Sequence, residues 1–579
     1  MTGSLRRLAA MVATFSLAAL PLVAQSYPPG GDPRDGLKPG LTDAGVAIAG
    51  MRLVATAPKP APFDSVRGLT FVNSDLAFRG NLVYQGNFAG FSIWDVSNPA
   101  RPRMVSVVEC ITSQGDPTII GNLLFVSAEG GGNRNDCAKG GVQDPSEHMA
   151  GVRIYDVSNP RAPRLVKNVQ TCKGSHTHTV IPHPRDRGVV YIYVSGSQGA
   201  REAMEGCVNG DDPADPNNSL YRLDVIRVPL ANPEQAAVVT GARIFTGLDA
   251  APQREGRQAR RGGRPRNCHD VTAYPAMNLL AGACGSYGLL VDISDPEQPR
   301  RLDAVADTNF SLWHTAVFSN DGKKVLFTDE WGGGTQPMCQ ATSMMEMGGN
   351  TVLTIGEGGK YRQHAYFKIP TGQAANENCV SHNGSLIPVP GRDIAVQGWY
   401  QGGVNIIDFT DPDRPFEIGY FDRGPVDPPP AEGERGSNTI GGSWGAYWYN
   451  GYIYSSEMAR GLDVLELVPG AQLSANEIAA AKLVVMDEFN PQSQPHVSWP
   501  AAFPVVRSYV DQLERGNGLA SARIAAIRSA LDAAERQSGS ARATALRTLA
   551  GQLDRDVAAA SDKARVRALA AETRRLAGS

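Results

Sequence analysis

No imbalance of charge marks this chain. Its 55 Lys and Arg stand against 58 Asp and Glu, a formal net charge of -3, which argues against a nucleic-acid partner. Long apolar runs are also scarce. The one long run, Leu8 to Val23, follows Arg6 and Arg7 and ends at Ala24 before a Pro/Gly-rich polar stretch, the layout of a secretory signal over residues 1–24. It is short for a membrane span and no second run follows, so a mature chain without a stable span is expected. No Cys follows the run, which speaks against a bacterial lipid anchor there. A Ser-His-Asp order, a P-loop and a His-Glu-x-x-His motif are all missing, so no common catalytic signature demands an enzyme.

What the chain has is glycine, proline and repetition. The 63 Gly and 40 Pro with 42% hydrophobic residues fit a turn-rich folded β protein. "GFSIWDVSNPARP" from Gly90 returns as "GVRIYDVSNPRAP" from Gly151, "GLLVDISDPEQP" from Gly288 and "GVNIIDFTDPDRP" from Gly403. Each is a strand of period two followed by a turn in which Asp, then Ser or Thr, then Asn or Asp before Pro supply acceptors and a preset φ. Asp95, Asp156, Asp292 and Asp408 therefore read as turn formers. With degenerate copies after Asn218, Lys360 and Gly461 the motif occurs seven times, each behind a hairpin-like pair of strands such as "SDLAFRGNLVYQGN". A four-stranded unit cannot bury both faces alone, so the expectation is an all-β seven-bladed β-propeller.

The Gly-x-x-hydrophobic-x-Asp-hydrophobic-Ser-Asn-Pro motif resembles that of the LVIVD-repeat proteins, predicted propellers found largely among exported bacterial proteins. This resemblance implies architecture and little chemistry. "MRLVATAPK" from Met51 is a candidate closing strand within an N-terminal linker, 25–59, and the propeller is expected over 60–486. "EFNPQSQPHVSWP" reads as a Pro-rich linker, 487–502. Composition then shifts to Ala, Arg and Leu, with Ile524, Ile527, Leu531, Leu546, Leu549 and Leu553 at helical spacing. A small helical bundle over 503–579 is expected, loosely similar to the FIMAH modules appended to secreted bacterial proteins, although the name-giving motif is absent.

Nine histidines occur in the whole chain, three of them in "SHTHTVIPHP". Aligned on the repeat, His176, His269, His314 and His382 open the first strands of four consecutive units, with Trp444 in the seventh place and Asp75 and Asp116 near it in the first two. First strands line a propeller's tunnel, so these imidazoles are expected at one mouth, with His178 two residues deeper and His183 outside at the hairpin turn. They suit copper, iron or zinc, with Glu330 or Glu457 at second-strand ends completing or orienting the set. They equally suit a polar tunnel layer that holds no ion. Eight cysteines fit an oxidising compartment, secreted, periplasmic or at a cell surface. Their positions at strand ends give Cys110 with Cys137, Cys172 with Cys207, Cys268 with Cys284, and Cys339 with Cys379 as the economical pairs, stapling long loops around the tunnel mouth. "REGRQARRGGRPR" from Arg254 could attract anions, and "MMEM" from Met344, with His148 and Met149, could offer thioethers to copper. Two functions follow. One is a monomeric exported module that binds a protein or carbohydrate on its stapled face. The other is a metalloenzyme, hydrolase or oxidase, similar in plan to copper-dependent propeller oxidases but sharing only Trp313-His314-Thr315 with them.

Overall fold

The computed structural model describes residues 31–579 apart from 67, 131, 141, 143, 197–198, 202, 253–262 and 429–438. The expected signal and most of the arginine-rich stretch lie outside the described residues.

The repeat motif folds as expected of its turn chemistry. The Oδ1 atoms of Asp95, Asp156, Asp292 and Asp408 accept the backbone N–H two residues on, at 2.8–2.9 Å. The glycine that opens the motif is demanded by close approach. A Cβ on Gly90 or Gly151, both at φ of 150°, would lie 1.9–2.0 Å from the carbonyl oxygen of Val108 or Val169 in the next strand.

Strand follows strand in antiparallel meanders. Four sheets have four strands each, led by Pro117–Ile120, His178–Pro182, Val271–Tyr274 and Trp313–Phe318. A fifth, led by Asn73–Arg79, gains the short strand Glu488–Phe489 on its leading edge. The sixth sheet has nine strands: two meanders, led by Asn383–Ile387 and Ser443–Tyr449, joined where these two pair in parallel at Asn383 with Gly445 and Gly384 with Ala446. The N-terminal segment supplies two of its strands, Val46–Ala49 on Phe416–Arg423 and Met51–Pro58 on Gly461–Leu467. The first was not legible in the sequence.

Leading strands touch in a closed circuit, in chain order from Asn73–Arg79 to Ser443–Tyr449 and back to the first. Apolar side chains fill the spaces between successive sheets. Tyr84, Phe91 and Ile93 meet Ile119, Leu124 and Tyr155, and at the closure Leu462 and Val464 meet Leu76 and Phe78. Each sheet is thus covered on both faces, so a second strand such as Leu123–Ala128 is buried throughout while a fourth such as Arg103–Glu109 is half exposed. The architecture is that of a β-propeller.

After Leu467 come a short helix, Ala475–Lys482, with a capping box between Ser474 and Glu477, and four further helices, Phe503–Arg515, Ser521–Glu535, Gly539–Asp556 and Lys563–Ala577. Val505, Leu513, Ile527, Leu531, Leu549, Leu553 and Leu569 share one core. The bundle is tied to the sheets through Glu477, whose carboxylate meets both Arg392 and Arg515, and through Gln512, which donates to the Pro390 carbonyl. Among the described residues no helix is long and apolar enough to cross a membrane.

Candidate metal centre

His178–Pro182, Val271–Tyr274 and Trp313–Phe318 begin at the same end of the ring, and the sheet register is irregular there between Trp313 and Ala316. Such a bulge re-aims side chains. His176 and His269 each lie two residues before their strands, His314 is the second residue of its own, and His382 directly precedes Asn383–Ile387. The four imidazoles form a chain of contacts. Nε2 of His176 and Nε2 of His269 are 2.7 Å apart, and ring centroids are 3.9 Å apart for His269 and His314 and 4.0 Å for His314 and His382. The Glu330 carboxylate lies among them, 3.5 Å from Nε2 of His269, 3.8 Å from Nε2 of His314 and 3.9 Å from Nε2 of His382. His269, His314 and Glu330 fall within the spacing that a single metal ion needs.

The outer ring nitrogens reveal why these imidazoles present Nε2 inward. His176 donates from Nδ1 to Glu129 at 2.5 Å, His269 from Nδ1 to Asp270 at 3.0 Å, and His382 from Nδ1 to the Trp444 carbonyl. An acceptor at Nδ1 fixes the proton there and leaves a lone pair on Nε2. Neither nitrogen of His314 nor Nε2 of His382 has a hydrogen-bond partner, although both side chains are buried. Burial pushes His382 down to about 3, and burial followed by the neighbouring imidazoles holds His314 well below the usual value, so both are neutral. Burial also opposes charge on His176, yet Glu129, and after it Asp270 and Glu330, outweigh burial and hold it above the ordinary histidine range.

Glu330 is oriented from outside. Tyr400 donates its hydroxyl to Oε1 at 2.6 Å, from a backbone at φ of 53°, a region costly for a non-glycine residue. Its backbone is pinned there by reciprocal bonds with Ser443 at 2.8–2.9 Å. On one side the centre is walled by aromatic rings, Trp444 at 4.8 Å and Tyr400 at 4.5 Å from His382.

Two residues expected near the set, Glu457 and His178, stand apart from it, and His183 lies outside. Glu457 accepts from the backbone of Gly442, Ala459 and Arg460 and from the Arg460 guanidinium, so the loop's own donors claim both oxygens. His178 turns to the preceding sheet, where Nδ1 meets Ser127 Oγ at 2.8 Å, and burial pushes it down to about 3. His183 lies at the hairpin end, accepting from the N–H groups of Arg185 and Asp186. Glu129, Asp270 and Tyr400 were not singled out in the sequence. Glu129 follows Leu123–Ala128 as Glu330 follows Lys324–Asp329, so the repeat frame carried its signal, whereas nothing local pointed to Tyr400.

The sulfurs are bonded as Cys110–Cys137, Cys172–Cys207, Cys268–Cys284 and Cys339–Cys379, with no free cysteine. Cys268 directly precedes His269, so one of these crosslinks anchors a member of the centre. Met344 is exposed and its carbonyl receives Lys368.

The radial sheets and polar tunnel mouth define the class, a β-propeller with a disulfide-bordered face. Within it, residues 73–109 and 149–171 match the LVIVD repeat. Among solved structures it is similar to hydrazine synthase of Kuenenia stuttgartiensis (13% identity, 57% of this chain and 74% of that one, TM-score 0.35). It is likewise similar to the Dos1 propeller (10% identity, 68% and 78%, TM-score 0.37) and to Sqt1 of Saccharomyces cerevisiae (11% identity, 69% and 100%, TM-score 0.35). No curated protein matches the chain.

Proposed function

We propose that the protein is an exported seven-bladed propeller, its nine-stranded sheet counted as two blades, that binds a protein or carbohydrate ligand on its disulfide-bordered upper face around a resident transition metal. His269, His314 and Glu330 hold the ion, with His176 and His382 alongside, and copper, iron or zinc fits an imidazole-rich donor set. The observation that carries the reading is the inward convergence of Nε2 lone pairs on a carboxylate. These groups repel one another unless a cation stands between them. A proton on His176 relieves only its contact with His269, and Nε2 of His314 and of His382 are left without a partner. A metal ion held by His269, His314 and Glu330, whose ligand atoms share the spacing that one ion needs, removes that repulsion, and the acceptors at Nδ1 are the outer partners that metal-bound histidines use. Four disulfides support residence in an oxidising compartment. The test is elemental analysis of protein made in a periplasmic host. Stoichiometric copper, iron or zinc is expected, lost in His269→Ala/His314→Ala while circular dichroism and disulfide content stay unchanged. Metal-free wild-type protein after exposure to each ion would leave the histidines as a polar tunnel layer.

A further inference from the structure

The Pro-rich segment after the short helix does not hang between two domains. It makes paired contacts with one leading strand after another, in the order of the ring. Met486 exchanges two bonds with the Asn450 side chain, beside Ser443–Tyr449. Asp487 accepts from Gly80, and Glu488 and Phe489 pair with Arg79 and Phe78 of the next leading strand. The Asn490 amide accepts from the Ile119 N–H and donates to the Ile119 carbonyl, both at 2.8 Å. Gln492 receives the Thr179 hydroxyl at 3.4 Å and, through its carbonyl, the Ala273 N–H at 2.8 Å. Gln494 donates its own N–H to the Ala273 carbonyl, while its side chain accepts from the Phe318 N–H at 3.0 Å and donates to the Phe318 carbonyl at 2.9 Å. Val497 exchanges two bonds with the Asn320 side chain, and Trp499 donates to the Pro388 carbonyl.

The physical reason lies in the ring. A leading strand has no neighbour on its axial side, so its N–H and C=O groups there lack partners. A primary amide carries a donor and an acceptor in the spacing of a peptide group, so one Asn or Gln satisfies both groups of one residue. Pro491 and Pro495 add no N–H that would itself need a partner. Asn490, Gln492 and Gln494 are buried, and the stretch from Met486 to Trp499 extended reaches about 45 Å, enough to pass once around a narrow mouth. The bonds fall toward the strand ends opposite those that carry the histidines.

We infer that Met486–Trp499 is a belt that locks the ring and seals the lower tunnel mouth, leaving the upper mouth as the way to the histidine centre. This rests on the ring and not on the metal. Thr179→Cys in the full chain places one free thiol behind the belt, because every native cysteine is in a disulfide. Its maleimide labelling is expected to be slow, and to accelerate at least about tenfold when Asn490→Ala/Gln494→Ala removes four hydrogen bonds. Fast labelling behind the intact belt, or equal rates in the two backgrounds, would overturn the inference. Should the double variant fail to fold, amide exchange in the unaltered protein decides: the N–H groups of Ile119, Ala273 and Phe318 should exchange as slowly as the sheet core, and rapid exchange there would remove the belt.

Discussion

The two ends of the ring solve opposite problems with the same strands. At the lower mouth the backbones of Ile119 and Phe318 are paired off by amides of Asn490 and Gln494 that imitate a neighbouring strand. At the upper mouth the side chains are aimed inward, and two buried imidazoles retain nitrogens with no hydrogen-bond partner. Buried polar groups without partners cost about 1–3 kcal/mol each. The lower end spends its side-chain amides on the strands beside them, whereas the upper end aims these nitrogens inward beside a carboxylate, and that contrast is what marks the upper end as a site. The ends are also held differently. Disulfides border the upper loops, while the lower end depends on a segment from far along the chain.

The contrast breaks most sharply at Glu330. Glu330→Gln keeps the shape and removes the negative charge facing three Nε2 atoms, and metal affinity should fall by more than about 100-fold, beyond the range usual for outer partners. Competition titration against a chelator measures it, and an unchanged affinity would take Glu330 out of the centre. Next comes Cys268→Ser/Cys284→Ser. Opening a loop of separation 16 should cost about 3 kcal/mol of stability, seen by chemical denaturation, and should weaken metal binding because His269 adjoins Cys268. Cys110→Ser/Cys137→Ser should cost stability while leaving affinity alone. Tyr400→Phe takes away one donor to Glu330 and should reduce affinity about tenfold, with the ligand-field spectrum of the cobalt-substituted protein shifted and the thermal midpoint little changed. The smallest effect belongs to the lower end. Asn490→Ala leaves the Ile119 N–H and C=O without partners and should cost about 1–2 kcal/mol, with metal affinity equal to wild type.

Much of the upper end was legible because it is written in the repeat. His176, His269, His314 and His382 fall on one position of a strand whose role in a propeller is fixed, so aligning the copies located them together. Glu129 was legible by the same alignment, at the position that made Glu330 and Glu457 candidates. That alignment could not say which carboxylate joins. Glu457 has Arg460 three residues later and is consumed locally, whereas Glu330 is reached by Tyr400 from 70 residues away. The lower end was nearly illegible. "EFNPQSQPHVSWP" has the composition of a linker, and its Asn and Gln look like solvated residues until the strands they pair with are known.

Local chemistry therefore determined the unit: Gly where a strand approaches too closely for a Cβ, Asp where a turn needs an acceptor, alternating apolar residues where both faces of a sheet are covered. It also put a histidine at the head of four successive strands. Only the closed ring decided what those heads would meet. Convergence on an axis is a property of several sheets arranged around it, and neither the partnering of Nδ1 by Glu129 or the Trp444 carbonyl nor the pairing of Asn490 with Ile119 leaves a trace in local sequence. Each joins residues tens to hundreds apart, brought together because radial packing is the way such sheets cover both apolar faces.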